Sequence, residues 1–163
     1  MNPPNQQAET AEALNNRGEA KRKQGDLDGA LADYNRAIEL KPTLAVAYHK
    51  AIELKSDSHL YYNERGVIKH AKGDLDGAIA DFDKAIELKP DFADAYSNRG
   101  VVKRAKRDLD GALIDYDKAI ELKPDSATAY HNRGVAKRDK GKVGSAQIDF
   151  SKAIKLRKNK SLK

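Results

Sequence analysis

The run Asp74-Leu75-Asp76-Gly77-Ala78-Ile79-Ala80-Asp81-Phe82-Asp83-Lys84-Ala85-Ile86-Glu87-Leu88-Lys89-Pro90 decides the fold of this chain. It returns with few changes at residues 108–124, in an earlier version at 26–42, and more weakly at 142–158. Phe82, Tyr116 and Phe150 follow one another at 34 residues. A fixed period of this length marks a stack of small units, none of which can bury a core alone. In the earliest copy Ala30, Leu31, Tyr34, Ala37, Ile38 and Leu40 recur at the spacing of one buried helix face. Asp26 has the chemistry of its N-cap and Pro42 stops it. Ahead of it Ala13, Leu14, Arg17, Gly18 and Lys21 begin another helix that should end near Gly25. Two antiparallel helices joined by a short turn therefore make one unit.

Composition agrees with such an array. Charged residues make up 34% and aromatics 6% of 163 residues, and mean hydropathy is -0.79. A compact single core usually wants more apolar residues, whereas stacked units leave much surface wet. Net charge is +6, but 25 acidic residues interleave with 31 basic ones, so the balance only weakly favours nucleic acid or acidic partners. Cysteine is absent, which excludes disulfides and thiolate metal sites. No apolar run reaches membrane-spanning length. Met1 to Gln7 lacks a basic region followed by an apolar core, so a cytoplasmic location is expected.

The resulting organisation is all-α: a lead-in over 1–9, expected to be disordered, one solenoid over 10–160, and a basic tail over 161–163. The solenoid divides into units 11–44, 59–92, 93–126 and 127–160, with a truncated unit at 45–58. In the full units Leu14, Tyr62, Tyr96 and Tyr130 each precede by four residues a glycine (Gly18, Gly66, Gly100, Gly134). Ala30, Ala78, Ala112 and Ala146 follow in the second helix, then the aromatics Tyr34, Phe82, Tyr116 and Phe150. Next come Ala37, Ala85, Ala119 and Ala153, and in three units Pro42, Pro90 or Pro124. These residues resemble the tetratricopeptide repeat (TPR) family over nearly the whole chain. The resemblance implies a helical-hairpin solenoid, an α-α superhelix built for protein interaction. Gly66 against Ala78 should bring two helices close, with Tyr62 and Phe82 filling the space beside them.

The chain departs from the family at one place in every unit. Arg17, Arg65, Arg99 and Arg133 stand where apolar residues are usual, and Lys21, Lys69, Lys103 and Lys137 where an aromatic is usual. Each unit also has an aspartate beside its second-helix aromatic: Asp33, Asp81, Asp115 and Asp149. A planar guanidinium suits a carboxylate in two-point contact, so a partly buried Arg–Asp ladder is expected, against the alternative of a solvated charged face. Basic residues end the first helices and acidic ones start the second, which complements both helix dipoles.

One unit is broken. Ala45-Val46-Ala47-Tyr48-His49 looks like the start of a first helix, yet it runs straight into Lys50-Ala51-Ile52-Glu53-Leu54-Lys55, the end of a second. A short amphipathic helix is expected, with a break after it and Asp57 or Ser58 as the next N-cap; continuation into Tyr62 is the alternative. His59-Leu60-Tyr61-Tyr62 then places large residues where later units have alanines, which reads as compensation for lost packing. Because one helix reverses the chain, the first hairpin must either dock unusually or exchange with a second copy. The expected outcome is a homodimer by domain swapping, with Tyr48, Ile52, Leu60 and Tyr61 at the contact. In the last unit Lys142, Gly144, Ser145, Gln147, Ser151 and Lys155 make the outer face polar.

Catalytic chemistry is not indicated. His49, His59, His70 and His131 lack metal-site spacing, no serine sits in a nucleophile elbow, and Gly25, Gly73 and Gly141 end helices. No metal, cofactor or enzymatic activity is expected. By resemblance, the first helices line a groove for a partner's peptide. The matching residues are Asn15, Glu19 and Arg22; Asn63, Val67 and His70; Ser97, Val101 and Arg104; and His131, Val135 and Arg138. Their polar and apolar floor with a basic row would favour acidic, partly apolar peptides. Asn98 fits a position of the family's carboxylate clamp, but Val67, Thr128 and Asn132 replace its other residues. RNA binding and an engineered array without ligand remain the alternatives.

Overall fold

A computed structural model describes residues 9–54 and 58–161. Among them lie α1 (Ala11–Lys23), α2 (Leu27–Leu40), α3 (Ala45–Leu54), α4 (His59–Ala71), α5 (Leu75–Leu88), α6 (Ala93–Ala105), α7 (Leu109–Leu122), α8 (Ala127–Asp139) and α9 (Val143–Ser161). The pairs α1–α2, α4–α5, α6–α7 and α8–α9 are hairpins, and each second helix packs on the helix that follows it. First helices of neighbouring units also touch, α4 with α6 and α6 with α8. They therefore form a continuous row along one side of the stack.

Local chemistry sets the helix ends. Asp26, Asp74 and Asp108 accept the backbone N–H of Gly29, Gly77 and Gly111, each at 2.9 Å, satisfying donors that would otherwise be orphaned. The preceding turns reverse through a left-handed residue. Gly25, Gly73 and Gly141 take that place with φ of 84°, 84° and 78°, but in the third hairpin it is Arg107, at 67°. A side chain in this region costs about 1–2 kcal/mol, of which a glycine's extra freedom when unfolded returns part. Arg107→Gly should therefore stabilise the protein by about 0.5–1 kcal/mol, measurable as a raised urea midpoint with an unchanged slope.

Between paired helices the contact is an aromatic ring on a glycine. A Cβ built on Gly66 would lie 2.7 Å from the Phe82 ring, and one on Gly100 the same distance from Tyr116. The expected closeness is present, and the Phe82 ring is what a Cβ on Gly66 would meet first. Tyr34, Phe82 and Tyr116 are almost wholly buried.

The truncated unit forms one helix with two roles. Toward the preceding hairpin, α3 behaves as a first helix: Ala47 joins Leu14 and Ala37, and Ala51 joins Ala30 and Tyr34. Toward the next hairpin it behaves as a second helix and packs on α4. The break before α4 is present, with Ser58 at the N-cap position but making no side-chain capping bond. Asp57, the other expected cap, lies outside the described residues, as does the side chain of Ile52.

Compensation for the missing helix falls on particular residues. Tyr61 packs on the cluster of Ala30, Tyr34 and Ala51, sets its ring edge-on to buried Tyr48 at 6.3 Å, and donates its hydroxyl to Asn35. His59 packs edge-on against Phe92 at 4.9 Å. Leu60 does not contribute in this way; it is 52% exposed. The first hairpin is thus docked within the single chain. Tyr61→Ala should cost about 2 kcal/mol, from lost ring burial and a lost hydrogen bond. Amide exchange in α1 and α2 should accelerate more than in α6 and α7.

Candidate peptide-binding groove

A charged ladder ties the two helices of each hairpin together. Arg17, Arg65, Arg99 and Arg133 each donate two hydrogen bonds, at 2.6–2.9 Å, to the carboxylates of Asp33, Asp81, Asp115 and Asp149. Lys21, Lys69, Lys103 and Lys137 complete each cluster from the next helical turn, with Nζ 2.8–3.0 Å from the same aspartate. The four aspartates are buried. Two arginines also bridge units: Arg99 reaches Asp83 at 2.5 Å and Arg133 reaches Asp117 at 2.7 Å. The guanidinium groups of Arg65, Arg99 and Arg133 lie 5.4–5.5 Å from the ring centres of Tyr62, Tyr96 and Tyr130, a favourable stacking geometry.

Charge pairing moves the carboxyl equilibria. The Arg17 guanidinium holds Asp33 down at about 2 against burial, with help from Lys21. For Asp149, burial pushes upward, but Arg133 and Lys137 together outweigh it and the net direction is down. A carboxyl depressed in the folded state stabilises above its unfolded pKa and loses that contribution as pH falls through the folded one. Stability should therefore hold down to about pH 4 and fall between pH 4 and 2. Thermal midpoints across that window would show the loss, and Asp33→Asn should flatten it.

On this frame the predicted floor divides in two. Along α1, Glu19 accepts from Arg22 at 2.8 Å, from Lys50 of α3 at 2.6 Å and from the Tyr34 hydroxyl at 3.2 Å. Its carboxyl is held far below the usual range, first by Arg22 and then by Lys50. The Asn15 side-chain oxygen is buried and makes no hydrogen bond. Glu19 thus ties Arg22 to α3, and among the described residues α1 packs on α2 and not on α4, α6 or α8.

The later residues occupy equivalent positions of α4, α6 and α8: Asn63, Ser97 and His131; Val67, Val101 and Val135; and His70, Arg104 and Arg138. Of these, Asn63 and Ser97 line one pocket. Buried Asn63 donates to Glu64 and accepts from the Asn98 amide across the unit boundary, both at 3.0 Å. Around them an open pocket of about 360 Å³ is lined by Asn63, Glu64, Asp94, Ser97, Asn98, Lys123, Ser126 and Thr128. Val67 is exposed and Val101 and Val135 are half-buried. His131 leans on Phe150, with ring centres 5.5 Å apart.

The basic row is less uniform than the sequence suggests. Arg104 is paired with Asp139 at 3.0 Å, and Arg22 is paired with Glu19. Arg138 is exposed. The pocket end carries Glu64 and Asp94 against one lysine, Lys123. The pocket is thus hydrogen-bonding and mildly acidic. Reasoning from family positions missed Glu64, Asp94, Lys123 and Ser126. Their signal was available only in three dimensions, because they come from the middle of α4, the start of α6 and the connection before α8, brought together by stacking.

Comparison with known proteins agrees with this architecture. Tetratricopeptide repeat models match residues 11–44 and 127–160, and a TPR repeat model matches residues 66–106 and 102–141. A crystal structure of MamA is 27% identical, with 90% of this chain and 97% of that one covered and a TM-score of 0.67. YrrB, described as a TPR protein with an unusual peptide-binding site, is 22% identical over 92% of this chain and 88% of its own, with a TM-score of 0.60. The second TPR of Spaghetti (RPAP3), solved with the HSP90 peptide SRMEEVD, is 24% identical over 60% of this chain and 91% of its own, with a TM-score of 0.59. No curated protein sequence matches the chain. No described helix is long and apolar enough to cross a membrane. With repeat models matching most of its length, the chain belongs to the tetratricopeptide repeat family.

Proposed function

We propose that this protein is an interaction scaffold whose groove over α4, α6 and α8 holds a partner's peptide. The observation that carries the reading is the open polar pocket that Asn63 of α4, Ser97 and Asn98 of α6 and Thr128 of α8 line together. An extended segment is suited to it if it offers backbone or amide groups to Asn63, Ser97 and Asn98. It should place apolar side chains on Val67, Val101 and Val135, and a carboxylate toward Arg138. Two solved proteins of this fold, YrrB and the RPAP3 domain, are described with peptide sites or peptides; they support the fold's capacity, and the chemistry of this floor supports the ligand class. The family is typically non-enzymatic, and a cytoplasmic setting belongs to the same proposal.

Titration of short labelled peptides that combine Leu or Met with Asp or Glu tests the reading. Val101→Glu or Arg138→Glu should weaken binding by about tenfold or more. Equal affinity of these variants and the parent for every peptide would remove the groove as the site.

We also propose an exchanged homodimer. Two copies could trade first hairpins and re-form the contacts of Tyr48 and Tyr61 between chains. Light scattering at micromolar concentration should then give twice 18.0 kDa. A mass of one chain at all concentrations would leave the hairpin docked on its own chain.

A further inference from the structure

The junctions between units set out the terms on which this fold accepts another helix. At each regular junction the incoming first helix brings cations to a stripe of carboxylates on the second helix before it. Arg99 meets Asp83 and Arg133 meets Asp117. Lys106 meets Asp76, and Lys140 meets Asp110. The apolar centre is equally regular: Val102 covers Ala78 and Phe82, and Ala136 covers Ala112 and Tyr116.

α9 keeps the apolar centre and reverses the stripe. Phe150 and Ala146 repeat the pair that receives an incoming helix. Phe150 is only half-buried where Phe82 and Tyr116 are buried, and Ile154 is 54% exposed where Ile38, Ile86 and Ile120 are half-covered. The carboxylates, however, are gone. Ser151 replaces Asp83 and Asp117, Gly144 replaces Asp76 and Asp110, and Lys155 replaces Glu87 and Glu121. Lys158 extends the same stripe, and Lys155 and Lys158 are exposed. Residues 140–163 hold eight basic residues and one acidic one, more than the whole net charge of +6. The one acid, Asp149, is already bound by Arg133 and Lys137.

We propose that this face of α9 docks an acidic amphipathic helix of a partner protein, seated as the first helix of a further unit would be. The partner's apolar residues cover Phe150 and Ile154, and its carboxylates meet Lys155 and Lys158. A second copy of this chain is a poor occupant. Its α1 would bring Arg17 to Ser151 beside Lys155, like charge against like.

Two helix-stapled peptides with the sequence of residues 93–106 test the proposal on the full-length chain. One keeps Arg99 and Lys106, the cations that meet the preceding helix; in the other both are glutamate. Fluorescence anisotropy should show the acidic peptide binding at least about tenfold more tightly than the basic one. Ser151→Asp with Lys155→Glu restores the stripe of the earlier units and should invert that preference, while Ile154→Ser weakens both peptides. Circular dichroism of each variant verifies folding. Equal binding of the two peptides, or a preference unmoved by Ser151→Asp/Lys155→Glu, overturns the proposal. So does an oligouridylate that binds as tightly and is lost with the lysine but not with Ile154→Ser, which would assign the stripe to nucleic acid. Peptide-induced self-association in light scattering would assign it to copies of this chain and overturn the proposal equally.

Discussion

Asp115→Ala is expected to cost about 3 kcal/mol of folding stability. Asp115 is 1% exposed and receives two bonds from Arg99 and one contact from Lys103. Removing it strands two cations beside the buried ring of Tyr116, and an uncompensated charge there costs more than the lost pair contributed. Arg99 retains Asp83, which keeps the figure toward the low end for a broken buried pair. Urea denaturation would measure it. Asp33→Ala should cost less, because the side chain of Arg17 is 48% exposed and its charge stays in water. If the two substitutions cost the same, burial is not what gives the ladder its strength.

Gly100→Ala should cost about 2 kcal/mol, although alanine is the better helix former by about 1 kcal/mol. The added methyl would lie 2.7 Å from Tyr116 Cε1 and 3.0 Å from Cδ1. The ring is fully buried, so it can move only by displacing α7, and overpacking of this kind costs more than the propensity gain. The diagnostic is a double substitution. Tyr116→Leu alone leaves a cavity, but joined with Gly100→Ala it makes room for the methyl, so the pair should be more stable than the sum of the two single changes. Additive costs would show that Gly100 is needed for its backbone and not for the close approach.

Much of this is legible in the chain because the repeat carries it. The period places the hairpins, the aspartates before each Leu-Asp-Gly sequence place the caps, and the fixed offset of 16 residues between Arg65 and Asp81 places the ladder. The lysines stand out as departures from the family but not as third members of each cluster. That role depends on a turn of helix stacking above the arginine, and no pairwise pattern marks it. Arg107 escapes notice for a different reason: glycine signals a left-handed turn, and an arginine in the same conformation gives no signal at all. The truncated unit reads as one helix followed by a break, and that is the arrangement it takes. Which large residue fills the gap is not legible, since Leu60 and Tyr61 are equally apolar neighbours and only packing against Asn35 and Tyr48 distinguishes them. That Val67, Val101 and Val135 share one position of the repeat is legible from the period. The neutralisation of Arg104 by Asp139 is not, because it joins helices of different units.

The lone helix α3 acts on the stack as a stacking fault acts in a crystal. Order on either side is regular, but the sequence of layers slips by half a repeat as it crosses. In a one-dimensional array, cooperativity passes only from neighbour to neighbour, so a fault is where it is most easily interrupted. Among the described residues Tyr61 spans the crossing, joining α4 to Tyr48 of α3 and to Asn35 of the hairpin before it. The fault divides the stack into a short block of α1 to α3 and a long one of α4 to α9. The short block is expected to open while the long block stays folded.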